Sequence, residues 1–427
     1  MRSQRRDGAA GFFVLSIGLA PVLWAGGGDE WSELAARAQA DYERVALAAS
    51  PRLAEASACQ QSQAALVSIA PREELPGIHY RKGYCALVAA ALENGSDRWR
   101  EAADEFARAI EAWPAAHPVK RNQPVPPAPA VLPVAEAIAR IHATSGAGDG
   151  TGDRAAAQST LAAAVERPSC GAELTTLELC QAYAEVGWEW LGWMALRSGD
   201  LEGAARDFSS PAAAGWRNWV EGRQAFRDAR YPEAAARYGQ AVTDWERNRA
   251  NAGWFDRLRP SPDWADSLTE WGGARLLASD YAGAIATLSR AAALDQENAR
   301  AYYLRAVARE RSGHLEDALT DYNLASRAAF ASARDMASGE AHLYRGILLY
   351  RRKDFARAES EFASALNFDV APALRADAIA WRHLAAVAQG GCQSSRESLG
   401  RSLASVSPFF PLQEAQAAAA ACSGAGL

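Results

Sequence analysis

The stretch YYLRAVARERSGHLEDALTDYNLA, residues 302–325, places small, turn-forming and aromatic residues at intervals that fit a helical hairpin. Ala306 lies in the first half, Gly313 near the middle, and Ala318 and Tyr322 in the second half. Ala318 and Tyr322 are four residues apart, so they share one face of a helix. The stretch therefore predicts two amphipathic helices joined by a tight turn.

This hairpin is one copy of a pattern that occurs five times along the chain. The small residue of the first helix is Gly192, Gly222, Gly272, Ala306 or Gly346. The small residue of the second helix is Ala204, Ala234, Ala284, Ala318 or Ala358. A large residue follows four positions later, as Phe208, Tyr238, Leu288, Tyr322 or Phe362. Small residues let two antiparallel helices approach closely, and the large side chain fills the space beside them.

A hairpin of this kind cannot bury its outer face alone, because that face needs a neighbouring hairpin to cover it. Long runs rich in Ala, Arg, Glu and Leu favour helix, and no segment alternates like a series of strands. The sequence therefore predicts an all-α fold in which helical hairpins stack into one continuous solenoid.

The pattern resembles the tetratricopeptide repeat (TPR), a unit of about 34 residues with W-x2-L-G-x2-Y followed by A-x3-F-x2-A. A clear match is WEWLGWMALRSGDLEGAARDF, residues 188–208. From Ala284 to Ala318 the spacing is 34 residues, but the other intervals between these alanines are 30, 50 and 40. The longest interval contains an insertion of about 16 residues. The resemblance covers residues 186–368 and implies a TPR-like, right-handed superhelix.

Composition changes along the chain predict six regions. They are a signal peptide or anchor (1–28), an N-terminal helical region with a degenerate repeat (29–113), a proline-rich linker (114–133), a degenerate helical hairpin (134–185), the TPR-like array (186–368) and C-terminal capping helices (369–427). The linker is expected to be extended, because it holds seven of the 19 prolines.

The amino terminus is typical of an export signal. Arg2, Arg5 and Arg6 precede the apolar run GFFVLSIGLAPVLWAG, residues 11–26. A run of about 15 residues is short for a membrane span, which needs roughly 20. We therefore expect cleavage, with a retained membrane anchor as the alternative. Without residues 1–28 the chain has 42 basic and 50 acidic residues, a formal net charge of −8, so we expect no nucleic-acid partner.

Six cysteines fall into three neighbouring pairs along the chain. They are Cys59, Cys85, Cys170, Cys180, Cys392 and Cys422. An even number behind an export signal predicts disulfides and a periplasmic or extracellular location. We favour 59–85, 170–180 and 392–422, one of 15 possible connectivities, because each would join neighbouring elements of the array. Buried free thiols are the alternative.

Sequence signatures of catalysis are missing. The chain has no H-E-x-x-H, no G-x-S-x-G and no H-x-E with a cysteine pair, and its six histidines are scattered. Most acidic residues lie four positions from an arginine, which is typical of a solvated helix face. We expect no enzymatic activity, no metal site and no cofactor.

The distribution of tryptophan is the most informative feature for a binding surface, since nine of the 14 tryptophans lie between Trp188 and Trp271. The TPR resemblance implies that certain first-helix positions line a concave, partner-binding face. Carried over residue by residue, these positions are Trp193, Arg197, Trp216, Trp219, Arg223, Phe226, Arg227, Tyr303, Arg311, Tyr350 and Arg351. Aromatic and arginine side chains together suit an extended or helical peptide with apolar anchors and acidic groups.

Burial in the core is the alternative for Trp193, Trp216 and Trp219. A shift of one residue in the register rotates a helical side chain by about 100°. The choice between a groove and the core therefore stays open for these three residues.

These observations predict an exported, non-catalytic TPR-type scaffold of the cell envelope that binds another protein or a peptide. One alternative is an accessory helical domain whose aromatic side chains stack on envelope polysaccharide. Another is a structural spacer held at the membrane by an uncleaved amino terminus.

Overall fold

The computed structural model describes residues 29–424, apart from 94, 118–127, 145–150, 167–169, 171–173, 175, 251, 333–338 and 369. The expected signal segment, residues 1–28, lies outside the described residues. Over the described ranges, all regular structure is helical: 19 α-helices and three short 3-10 helices, with no strand. The predicted all-α class is confirmed. None of these described helices is long and apolar enough to cross a membrane.

The chain divides into two compact units. The first contains the described residues up to Ala213 together with Asn248–Ser261. Its helices are α1 (Asp29–Ala46), α2 (Leu53–Val67), α3 (Leu75–Glu93), α4 (Ser96–Ala116), α5 (Val131–Thr144), α6 (Thr151–Glu166), α7 (Leu177–Ser198) and α8 (Leu201–Asp207).

The second unit contains Ala214–Arg247 and the described residues from Pro262 onward. Its helices are α9 (Ala214–Arg227), α10 (Tyr231–Ala250, which belongs to this unit as far as Arg247), α11 (Trp264–Leu277), α12 (Tyr281–Leu294), α13 (Ala299–Arg311), α14 (Leu315–Ser332), α15 (Gly339–Arg351), α16 (Phe355–Ala365), α17 (Pro372–Ala388), α18 (Cys392–Ser402) and α19 (Leu412–Gly424). The predicted array of residues 186–368 therefore has parts in both units.

Sequential packing connects the helices of each unit. From α1 to α8, and again from α11 to α19, each helix packs against the next one in the chain. This nearest-neighbour order is typical of helical solenoids. The predicted TPR-like arrangement of helical hairpins is confirmed. In the text below, "first helices" are α3, α5 and α7 in the first unit and α9, α11, α13, α15 and α17 in the second.

The small and large residues of the repeat meet inside each hairpin. A Cβ atom added to Gly222 would lie 2.6 Å from the Tyr238 ring, and one added to Gly346 would lie 2.6 Å from the Phe362 ring. The corresponding distances are 2.9 Å from Gly192 to Phe208 and 2.5 Å from Gly272 to Leu288. Carbon atoms in contact are normally about 3.5–4.0 Å apart. In these four hairpins the absence of a Cβ lets the large side chain occupy this place.

The turn of each repeat contains one residue in the left-handed conformation. In two turns this residue is a glycine, Gly199 or Gly313. In the other three it is Ala229, Ser279 or Lys353, with φ values of 58°, 65° and 63°. An aspartate follows in three of the turns, and its side chain accepts a backbone N–H from the first turn of the second helix. These caps fix where the second helices begin.

Helices extend into both ends of the region 114–133, which was expected to be extended throughout. Helix α4 continues to Ala116 and includes Pro114, and α5 includes Pro133. Pro133 is tolerated because backbone N–H groups in the first helical turn have no partner within the helix. Residues 118–127 in the middle of this region lie outside the described residues.

Two of the expected disulfides are present in the first unit. Cys59–Cys85 joins α2 to α3, and Cys170–Cys180 joins the segment before α7 to that helix. A disulfide restricts the unfolded chain and so favours the folded unit. The side chain of Cys392 is outside the described part of the chain, so its pairing with Cys422 stays a prediction.

Candidate partner-binding surfaces

The two tryptophans of α9 lie in the core of the second unit. Trp216 and Trp219 are only 6% and 4% exposed. Their rings lie 4.9 Å and 5.2 Å from the Trp245 ring of α10, and Trp219 also lies 4.3 Å from Tyr238. Of the two alternatives, a groove or the core, these two residues lie in the core, because large aromatic side chains of α10 cover them.

Trp193 has an intermediate position on α7. It is half-buried, and its ring meets the Trp190 ring edge to face at 5.3 Å. The Arg197 guanidinium lies over the Trp193 ring, 5.0 Å from the ring centroid, and is itself exposed. This pair presents an aromatic surface and a positive charge to solvent.

The remaining predicted residues of α9 are half-buried or exposed. Arg223 bonds to Glu270 of α11 at 3.1 Å and 2.5 Å, which ties two successive first helices together. Phe226 is half-buried against Tyr231 at 5.4 Å between ring centroids, and Arg227 is exposed.

The predicted tyrosines of the later repeats pack inside the second unit. Tyr303 of α13 stacks on Tyr344 of α15 at 4.9 Å, and Tyr350 packs edge to face on Trp381 of α17 at 5.1 Å. Both predicted tyrosines are buried. They connect successive first helices. The polar part of the predicted surface therefore consists of the neighbouring arginines, Arg311 and Arg351.

Those arginines, Arg311 and Arg351, hold a stretch from the end of the chain. Arg311 Nη2 donates to the backbone carbonyl of Phe409 at 3.3 Å. Arg351 bonds to both carboxylate oxygens of Glu414, at 2.9 Å and 2.7 Å, and pairs with Glu310 at 2.7 Å. Residues 405–415, here called the C-terminal segment, therefore lie at positions that the TPR resemblance assigns to a partner.

Aromatic contacts anchor the same segment. The Phe409 ring lies against Gly273 of α11, since a Cβ added there would be 3.4 Å from Phe409 Cζ. The Phe410 ring meets Trp381 edge to face at 5.3 Å. Phe409 and Phe410 are 9% and 3% exposed, so both are buried by the helices that they contact.

A buried carboxylate fixes the start of the segment. The Ser407 backbone N–H and hydroxyl donate to the two oxygens of Asp377, at 2.7 Å and 2.6 Å. Burial raises the pKa of Asp377, and the two bonds from Ser407 act in the opposite direction. The segment thus contacts all four of α11, α13, α15 and α17.

Charge stabilises the far end of the segment. Burial acts to lower the pKa of Arg351, but Glu310 and Glu414 outweigh it, and the pKa lies above its ordinary value. Arg351 is therefore always positive and provides a fixed site for the Glu414 carboxylate.

The insertion in the 50-residue interval occupies the first unit in a similar way. Within residues 252–261, here called the insertion segment, the Trp254 ring packs on Tyr84 of α3 at 5.5 Å, and the Phe255 ring packs on Tyr183 of α7 at 5.2 Å. Arg257 Nη1 donates to the Ala91 carbonyl at 3.0 Å. The segment thus joins first helices of this unit.

Leu258 and Arg259 complete the insertion contacts. Leu258 is fully buried, and its carbonyl accepts a bond of 2.8 Å from Trp190 Nε1 and lies 3.3 Å from His142 Nε2. Arg259 pairs with the buried carboxylate of Glu189. Burial raises the pKa of Glu189 to about 7 despite Arg259, and burial lowers the pKa of His142 to about 4.

Each unit therefore holds a stretch with two adjacent aromatic residues, Trp254-Phe255 or Phe409-Phe410, across its own first helices. The repeat register predicted partner-binding positions but not these occupants, nor Asp377, Trp381 and Gly273 beside them. Phe409 and Phe410, between Pro408 and Pro411, were a sequence signal of such an occupant. They follow the last recognised repeat and lie outside its pattern.

Solved structures of similar architecture are TPR proteins. The TPR domain of P58(IPK) is 10% identical and covers 92% of this chain and 98% of that chain, with a TM-score of 0.30. Yeast Tom70 is 10% identical over 92% and 96% of the two chains, with a TM-score of 0.33. The human IFIT1 dimer with PPP-AAAA is 11% identical over 93% and 94%, with a TM-score of 0.31.

No family model matches the chain, and no curated protein matches its sequence. TM-scores of this size add nothing to the fold assignment. That assignment rests on the consecutive packing of the helices and on the glycine contacts within the hairpins.

Proposed function

We propose that this protein is a non-catalytic scaffold that binds a short segment of another protein across the first helices of its hairpins. One observation carries the proposal: in each unit these helices already hold another short stretch of the chain through aromatic anchors and ion pairs. A surface that binds such a stretch in cis has the chemistry to bind one in trans.

Exposed arginines offer the places for that partner. Arg197 and Arg227 occupy the same repeat position as Arg311 and Arg351, which hold the C-terminal segment. Arg197 and Arg227 themselves are exposed. Together with the half-buried Trp193 and Phe226, they suit a partner with apolar side chains and acidic groups.

The proposed location is the cell envelope, after cleavage of the amino-terminal segment. Two disulfides support an oxidising compartment, because such bonds persist where thiols are not kept reduced. Mass spectrometry of the chain from its native host tests this point. A mature terminus near residue 29 is expected, and an intact chain from Met1 would contradict cleavage.

Site-specific photo-crosslinking tests the binding function. A photoreactive residue replaces Arg227 in the full chain, and the control chain carries it at Glu316, an exposed position on the second helix α14. Irradiation in the native envelope should yield a discrete adduct from position 227 and none from position 316. Equal adducts from both positions, or none from 227, would contradict a partner at the first helices.

A further inference from the structure

The C-terminal segment is bound as a tight turn followed by the first residues of α19, and the Phe410 N–H closes the turn by donating to the Ser407 carbonyl at 3.1 Å. Residues 405–411 precede α19 and contain no helix. Two of its contacts use backbone atoms: the Ser407 N–H donates to Asp377, and the Phe409 carbonyl accepts from Arg311. Backbone groups are common to every peptide, so these two contacts can be made equally well by a different chain.

Its side chains give the binding preference. Phe409 and Phe410 insert beside Gly273 and Trp381, and Glu414 follows the second aromatic by four residues to reach Arg351. The helices thus select two adjacent aromatic rings and one downstream carboxylate. Buried aromatic anchors and a charge-assisted pair are the contacts that dominate peptide recognition.

Part of the segment also remains open to solvent. The Glu414 side chain is 39% exposed, and Leu412 and Pro408 are exposed between the anchors. The segment therefore covers the surface of the first helices through separate anchors, and a competing peptide can replace these anchors one after another.

We propose that α11, α13, α15 and α17 form a peptide-binding groove that the C-terminal segment occupies in cis until a partner peptide replaces it. The partner peptide carries two adjacent aromatic residues followed by a carboxylate. This inference rests on the proposed function and adds to it the chemistry of the partner and a built-in competitor.

Tethering makes the competitor effective. A segment joined to its own groove by a short connection has an effective concentration in the millimolar range. The apparent Kd of a free peptide rises in inverse proportion to the fraction of molecules with an open groove. A change that weakens the segment must therefore strengthen the binding of a peptide added in trans.

The experiment uses a fluorescein-labelled peptide of residues 403–418, titrated with full-length chains and followed by anisotropy. The F409A/F410A chain, which loses both anchors of the segment but keeps the groove, should bind the peptide at least tenfold more tightly than the unchanged chain. A peptide with both phenylalanines replaced by alanine should not bind. Adding Arg351→Ala to the F409A/F410A chain should weaken peptide binding at least tenfold.

Circular dichroism establishes that the F409A/F410A chain keeps its helicity. If it does not, a chain with Ser407→Ala and Glu414→Gln loosens only the polar anchors and takes its place. Failure of the peptide to bind the helical, opened chain would overturn the inference, as would equal binding to opened and unchanged chains. A dimer that exchanges C-terminal segments, detected by light scattering of the unchanged chain, would also overturn it by making a second copy the occupant.

These outcomes are separable from the proposed function. Loss of peptide binding together with a persisting crosslink from position 227 would remove the inference and leave the scaffold function in place. Loss of both would remove the scaffold function as well.

Discussion

The contact between Gly346 and Phe362 allows a stringent test of how the hairpins pack. Gly346→Ala adds a Cβ only 2.6–2.7 Å from two atoms of the Phe362 ring. The ring is fully buried and stacks on Trp381 at 5.9 Å, so it has little room to move. Phe362→Ala removes the ring and with it the source of the clash. The two substitutions therefore form a double-mutant cycle in which the sign of the coupling free energy can be predicted.

The magnitudes follow from the two environments. Truncating a buried phenylalanine to alanine costs about 3–5 kcal/mol. Forcing a methyl group against a confined ring costs about 1–3 kcal/mol, and the better helix propensity of alanine returns about 1 kcal/mol. In the double variant the clash is absent and the propensity gain remains. The double variant should therefore be about 1–3 kcal/mol more stable than the sum of the single changes implies.

Hydrogen exchange of amides in α15 and α16, measured by mass spectrometry, gives the free energy of opening this hairpin. Gly400→Ala is the matched control, because a Cβ added at Gly400 has no neighbour within 4 Å. Combined with Phe362→Ala, it should be additive to within about 0.5 kcal/mol. Additivity of the Gly346 and Phe362 changes to the same precision would refute the packing described for the repeat.

Three further changes test other parts of the account. Gly313→Ala should destabilise the chain by about 1 kcal/mol, and Ser279→Gly should stabilise it by a similar amount, because both residues have positive φ; thermal unfolding gives both values. Asp321→Ala should cost about 3–5 kcal/mol, since this fully buried carboxylate is the charge partner of Arg305 and Arg309; urea unfolding measures the loss. The raised pKa of Glu189 means that the folded state keeps a proton that the unfolded state has lost, so stability from this group is complete below about pH 4.5 and falls as pH rises toward 7. Over this window the unchanged chain should lose about 3 kcal/mol relative to Glu189→Gln, and parallel stability curves for the two chains would show that Glu189 does not titrate there.

The repeat could be predicted from the sequence because its determinants are local. Small and large residues recur at fixed separations within each hairpin, and the pairs Gly222–Tyr238 and Gly346–Phe362 meet as the pattern requires. The turn residues follow the same intervals, since Gly199 and Gly313 occupy equivalent places. Periodicity of this kind can be recognised in a single sequence, because it does not depend on contacts between residues far apart in the chain.

The binding surface could be predicted only in part. The register assigned Arg311 and Arg351 to one face, and in the structure both contact the same segment. It could not establish that Trp216 and Trp219 are buried, because their cover comes from Trp245 of α10 and not from their own helix.

The occupants of that surface have no local signature. The C-terminal segment reaches Arg311 from a distance of 98 residues along the chain, and the insertion segment reaches Ala91 from 166 residues away. Contacts between such distant residues depend on the completed fold. Composition and periodicity therefore describe the helices well and leave the peptide-like segments unassigned.

The first helices of the second unit are proposed to bind a peptide with two adjacent aromatic residues. The most direct measurement uses the peptide of residues 403–418 with a photoreactive phenylalanine in place of Phe409, crosslinked to the F409A/F410A chain and mapped by mass spectrometry. The account predicts adducts within α11 around Gly273 or within α13 around Arg311. Adducts confined to the second helices α12 and α14, or no adduct, would contradict it.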